Sequence, residues 1–111
     1  MEETMIKSGK LVRDNIPAII RRDGKVPLIR TLDDDEAFLR AALDKVVEEA
    51  TELRAAHGKD HATTEMADLL EIIEEVRRLR RISRWSVYVE RWRRARARGT
   101  FKKRVYLLGT A

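Results

Sequence analysis

The chain has 111 residues, no cysteine and a formal net charge of +5. That length fits one domain with a modest core, and the lack of cysteine excludes disulfides, thiolate metal sites and thiol catalysis together. No apolar run approaches the roughly 20 residues that cross a bilayer, and the opening MEETMIKSGK carries charge but no apolar stretch, so the expectation is a cytoplasmic protein with neither a membrane span nor an export signal.

The net charge conceals a division along the chain. Residues 1–36 hold seven basic and eight acidic side chains, residues 37–75 hold four and ten, and residues 76–111 hold thirteen and one. The centre is therefore net −6 and the end net +12. Clustered carboxylates can hold divalent cations and clustered Arg and Lys can hold phosphates. Runs of like charge are also ordinary solvated helix faces, so charge alone does not decide.

In chain order, Asp14 is a candidate N-cap for a short helix with Pro17 in its first turn. Ile16, Ile19 and Ile20 form its apolar stripe, and Gly24 stops it. Val26 to Leu32 reads as extended, with Pro27 interrupting any regular pairing. Asp33 is placed to cap a second helix, with Glu36 three residues on as a capping box requires. Leu39, Ala42, Leu43, Val46, Ala50 and Leu53 recur at helical spacing until Gly58. A polar loop from His57 to Thr64 is expected next. A third helix carries Met66, Leu69, Ile72, Ile73, Val76 and Leu79 on one side. Ser83 or Ser86 can cap a fourth helix through Tyr88, Trp92 and Ala95 to Gly99, and Val105 to Leu108 reads as a short extended tail. Short links between helices predict antiparallel packing. The expected fold is an all-α bundle of about four helices, completed by oligomerisation because so short a chain cannot cover wide apolar faces alone.

Within that frame some carboxylates stand out. Each helical residue turns about 100° around the axis. Measured from the centre of the second helix's apolar stripe, Glu49 falls roughly 80° to one side and Glu52 roughly 140° to the same side, while Glu48 points almost directly away. On the third helix Glu65 falls about 50° from the stripe centre and Asp68 at its edge. A carboxylate at an apolar face is costly unless a positive group pairs with it. Four carboxylates in the groove between two helices suit Mg²⁺ or Mn²⁺, and helix bundles build metal sites from inward-facing carboxylates. The plain alternative places Glu65 near a helix start, where it complements the macrodipole.

Glu48-Glu49-Ala50-Thr51-Glu52 followed by Glu65-Met66-Ala67-Asp68 resembles the signature of the MazG-like all-α NTP pyrophosphohydrolases. Lys10-Leu11-Val12-Arg13-Asp14 with Ile16-Pro17 resembles the opening of the phosphoribosyl-ATP pyrophosphohydrolase-like branch, and Arg98-Gly99-Thr100-Phe101 resembles its closing Arg-Gly-Gly-Phe. The likeness runs from Lys10 to Leu108. It implies Mg²⁺ held by Glu49, Glu52, Glu65 and Asp68, the same four that the helical angles select. It also implies hydrolysis of a nucleoside triphosphate between its α and β phosphates, with helices of two or more subunits packed around each site. Asn15 stands where a basic residue is usual, Thr100 replaces the second glycine, Arg94 stands where lysine is frequent, and the run Arg91 to Arg98 is denser in arginine than the resemblance leads one to expect.

On this reading Glu48 and Glu49 are the candidates for catalysis, Glu48 by orienting or deprotonating water. Lys10, Arg13, Lys45, Arg94 and Lys102 are candidates for the triphosphate. Trp85, Tyr88, Trp92 and Phe101 can stack a base, although core packing suits Tyr88 and Trp92 better at helical spacing. The expected partners are a nucleoside triphosphate, canonical or damaged, and a second or further copy in a homodimer or homotetramer. The competing readings are a nucleic-acid-binding module using Arg77 to Arg104, which lacks an aromatic-interleaved recognition motif, and a catalytically silent helical assembly protein.

Overall fold

The computed structural model describes residues 9–111; the N-terminal residues read above for an export signal fall almost wholly outside them. Four helices form: α1 (Ile16–Arg22), α2 (Asp35–Ala55), α3 (Gly58–Leu79) and α4 (Arg84–Arg98). Among the described residues there is no strand, and no helix is long and apolar enough to cross a membrane. The all-α expectation holds at that level.

Helix starts differ from the sequence reading in instructive ways. The α1 cap position is Asn15, not Asp14, and its side chain makes no cap hydrogen bond. The Ile16 N–H instead donates to the Arg13 carbonyl at 3.1 Å, and Pro17, lacking a donor, leaves one fewer group to satisfy. The α2 cap is Asp34 rather than Asp33: its carboxylate accepts from the Ala37 N–H at 2.9 Å. With Ala37 at the third helical position, the expected Asp33–Glu36 box cannot close.

The larger correction concerns the expected loop from His57 to Thr64. Only Ala56 and His57 separate α2 from α3, and the polar segment from Gly58 onward is helical. Gly58 does not merely stop α2; it turns the chain at φ +80, a backbone conformation that costs glycine little. Thr63 and Thr64 lose their tendency to compete with the helix because their hydroxyls donate back to the Lys59 and Asp60 carbonyls, at 2.7 and 3.2 Å. Glu65 therefore sits about two turns inside α3, beyond the first-turn reach of the macrodipole.

The chain divides into two compact units, one ending at Arg80 and one beginning at Arg81. In the first, α2 packs against α3 as an antiparallel hairpin closed by the two-residue link. The buried residues of these helices are Ala42, Ile72, Glu49 and Glu65. The core is thus thin, and half of its members are carboxylates. Leu39, Val46, Leu53, Leu69, Val76 and Leu79 are half-buried, whereas Leu43, Val47, Met66, Leu70 and Ile73 remain exposed. In the second unit Ser83 caps α4 by accepting from the Ser86 N–H at 3.0 Å, and Gly99 ends it at φ 83. No residue of α4 is buried. Tyr88 and Trp92, expected in a core, are more than half exposed, and residues 105–108 form no regular element.

Candidate metal centre

Glu49 on α2 faces Glu65 and Asp68 on α3. One carboxylate oxygen from each can be chosen so that all three lie within 4.8 Å of one another. The hairpin explains why. Glu49 lies about two turns before the link, Glu65 about two turns after it and Asp68 about three, so antiparallel packing brings the three to one level. Glu49 is only 5% exposed and Glu65 only 7%.

Each of these carboxylates has one oxygen engaged by a donor. Glu49 Oε1 faces Lys45 Nζ at 3.3 Å, Glu65 Oε1 faces His61 Nε2 at 3.4 Å, and Asp68 Oδ1 accepts from Arg13 Nη2 at 2.7 Å. The second oxygens of Glu49 and Glu65 are buried without any hydrogen-bond partner. A buried acceptor left unmatched is costly, the more so when its group is charged. Two such atoms in a group of three carboxylates are what a hard divalent cation would satisfy, and the all-oxygen donor set suits Mg²⁺ or Mn²⁺.

The titration behaviour follows from the same crowding. Burial pushes the Glu65 carboxyl above its ordinary range, and the Glu52 charge and contact with Glu49 push it further. Glu52 itself is exposed and lies outside the group of three. It acts on the site as a neighbouring negative charge beside Glu65, one rim ligand short of the full set of four that the helical angles select.

Glu48 is covered more than its outward angle predicts, because the chain segment before α1 reaches it. Lys10 Nζ lies 3.4 Å from Glu48 Oε1, and Lys45 Nζ lies 3.2 Å from Glu48 Oε2. Burial alone raises the Glu48 pKa, but the hydrogen bond and charge of Lys45, with Lys10 behind it, outweigh that and lower it. A carboxylate so held is a poor proton acceptor, which favours an orienting part over a general base. Lys45 answers in kind. Desolvation works against its charge, yet Glu48 and Glu49 more than compensate, and its pKa is raised.

Of the five cations read as phosphate candidates, Lys10, Arg13 and Lys45 thus converge on the carboxylates. Arg94 lies on α4 and Lys102 in the turn after it, both in the second unit. Residues 10–16 also border a cleft of about 810 Å³ whose lining includes Lys45, Glu49, Asp68 and Ile72. His61 is the residue that sequence reasoning missed. Its signal was the spacing His57, His61, Glu65, successive i and i+4 neighbours on a helix, hidden by reading that stretch as a loop. The His57 N–H donates to His61 Nδ1 at 3.2 Å, so a neutral His61 carries its proton on Nε2, the nitrogen facing Glu65.

A 55-residue stretch of the chain is 57% identical to an uncharacterized protein of Mycolicibacterium smegmatis (strain ATCC 700084 / mc(2)155), covering 49% of this chain and 54% of that protein. The chain thus spans about half the length of the relative it matches. No family model matches, and no solved structure matches.

Proposed function

We propose that the first unit is the metal-binding half of a nucleotide pyrophosphohydrolase of the MazG-like kind, cleaving a nucleoside triphosphate between its α and β phosphates. The observation that carries the reading is the pair of buried, unpartnered oxygens, Glu49 Oε2 and Glu65 Oε2, in one group with Asp68. The sequence resemblance, which names these same residues, supplies the reaction. Glu49, Glu65 and Asp68 hold Mg²⁺, with Glu52 as the exposed fourth carboxylate. The ion, when bound, offsets phosphate charge and lowers the pKa of a coordinated water.

The protein's own groups supply the rest. Water adds to phosphorus, the anhydride bond breaks with its electron pair on the leaving pyrophosphate oxygen, and the water's protons pass to the product phosphates and solvent, giving a nucleoside monophosphate and pyrophosphate. Arg13 and Lys10 stand where the cleft meets the carboxylates and contribute positive charge for the phosphate oxygens. Lys45 fixes Glu49 and Glu48 in place, and Glu48, held by two lysines, orients rather than deprotonates the water. Arg94 and Lys102, both in the second unit, stand as further candidates for phosphate contacts. The exposed Leu43, Val47, Met66, Leu70 and Ile73 support a homodimer or homotetramer in which copies cover one another's hairpins.

Purified protein should release pyrophosphate from at least one nucleoside triphosphate, and only with Mg²⁺ or Mn²⁺. Glu49→Gln and Asp68→Asn should each abolish release and weaken Mg²⁺ binding by calorimetry at unchanged helix content. Full activity in either variant overturns the site; tight Mg²⁺ binding without turnover on a broad nucleotide panel leaves the metal centre and overturns the reaction.

A further inference from the structure

The hydrolase reading leaves α4 largely unused, and this helix has an organisation of its own. Residues 81–111 contain ten Lys and Arg against one acidic residue, Glu90. Counting about 100° per residue, Trp85, Tyr88 and Trp92 fall within a band roughly 60° wide, with Arg96 at its edge. Arg91 and Arg98 flank the band on one side and Arg93 on the other. The rings are not packed into a core: Trp85 is 71%, Tyr88 59% and Trp92 56% exposed. They are ordered among themselves. Trp85 and Tyr88 stack at 5.5 Å with 25° between their planes, and the Arg96 guanidinium lies 5.2 Å from the Trp92 ring centre. Beyond Gly99, Phe101 is 96% exposed beside Lys102, Lys103 and Arg104.

We propose that α4 binds single-stranded nucleic acid, with bases stacking along Trp85, Tyr88 and Trp92 and phosphates meeting Arg91, Arg93 and Arg98. A solvent-facing row of flat rings interleaved with guanidinium groups matches the two features of an unpaired strand, its π-faces and its evenly spaced negative charge. A duplex offers only the charge. An anionic membrane also attracts a basic amphipathic helix, but the stripe here is three polar-tipped aromatics with no Leu, Ile or Phe among them, two of which, Trp85 and Tyr88, stack on each other. Sequence alone ranks nucleic acid as an unlikely partner, for want of a recognition motif with interleaved aromatics and because the acidic centre repels a polyanion. The exposure of these rings answers the first objection, and the placement of the proposed contacts within residues 81–111 keeps them off the acidic segment. The inference does not rest on the hydrolase reading.

The test exploits a convenience of composition: the chain's two tryptophans are Trp85 and Trp92, so its intrinsic tryptophan fluorescence reports on this helix alone. The full chain, in chelator so that the metal site plays no part, is titrated with a short fluorescein-labelled single-stranded oligonucleotide of mixed sequence. Binding should quench tryptophan emission and raise probe anisotropy together. With about four phosphate contacts, affinity should fall on the order of 50-fold between about 50 and 200 mM salt. Trp92→Ala should weaken binding at least about fivefold while Trp92→Phe retains most of it. Arg91→Gln with Arg93→Gln should flatten the salt dependence, and Glu49→Gln should bind as the unaltered chain does.

The proposal is overturned by absent binding, or by a duplex binding equally well without quenching. It is overturned by Trp92→Ala binding normally at intact helix content. Tighter binding to phosphatidylserine vesicles than to the oligonucleotide, with a blue-shifted emission, overturns it in favour of a membrane surface. Emission that varies with protein concentration and is untouched by oligonucleotide overturns it in favour of a second copy of the chain.

Discussion

Glu65 concentrates the residue-scale argument, because its burial, its neighbours and its unmatched oxygen all press the same way. Its folded-state pKa lies above the ordinary value of 4.5. Between those two values the folded chain keeps a proton that the unfolded chain has released, so stability falls as pH rises through that window. Without metal, the melting temperature should therefore drop as pH climbs from mildly acidic toward neutral, and Glu65→Gln should remove that contribution to the drop. Mg²⁺ acts oppositely, since it needs the ionised form. It should raise the melting temperature of the native chain at neutral pH and leave Glu65→Gln almost unmoved. Scanning calorimetry across pH, with and without Mg²⁺, checks both; a Glu65→Gln protein that still gains stability from Mg²⁺ would remove Glu65 from the metal set. His61 makes a second, separable prediction. It holds Glu65 Oε1 with a tautomer fixed by the His57 N–H, as outer groups commonly orient metal ligands. His61→Ala should weaken Mg²⁺ binding by roughly 10-fold or more, read by titration calorimetry, with helix content preserved.

At the scale of elements, legibility followed the physics of each signal. The apolar stripes of α2 and α3 repeat every three or four residues, a pattern fixed by helix geometry, so the helices and the inward lean of Glu49, Glu65 and Asp68 could be read from spacing alone. Helix ends rest on single hydrogen bonds among interchangeable residues. Asp33, Asp34 and Asp35 are chemically equivalent caps, and the structure uses Asp34. Asp34→Ala should cost about 1 kcal/mol, whereas Asp33→Ala, which removes no hydrogen bond seen here, should cost close to nothing. Denaturant melts of the two variants distinguish the registers; equal losses would restore Asp33 as the cap. The segment before α1 was illegible for a different reason. Arg13 meets Asp68 across 55 positions of sequence and Lys10 meets Glu48 across 38, and no local periodicity records contacts of that range. The two-turn error after Gly58 then had a consequence beyond geometry. It concealed His61 and made Glu65 look like a helix-start residue, when its depth in α3 is what leaves a cation as its best partner.

For the whole molecule, the thin hydrophobic core makes a prediction of its own. Among the described residues only Ala42 and Ile72 are buried apolar side chains, and a chain of this length has little surface to fold away by itself. Val47 is 65% and Leu70 66% exposed, on the same two helices that hold the carboxylates. Apolar side chains so placed gain by meeting another copy, and burying each is worth about 1.5–3 kcal/mol. The chain should therefore sediment as a homo-oligomer, and its melting temperature should rise with protein concentration because association stabilises the folded form by mass action. Val47→Glu together with Leu70→Glu should shift the sedimenting species to smaller mass and erase that concentration dependence. If copies also complete the phosphate site, the double variant should lose pyrophosphate release while its isolated carboxylates still bind Mg²⁺, an uncoupling that separates an interface defect from damage to the metal centre. A native chain that sediments as a monomer at micromolar concentration, with a melting temperature independent of concentration, would require this hairpin to be stable with its apolar residues in water.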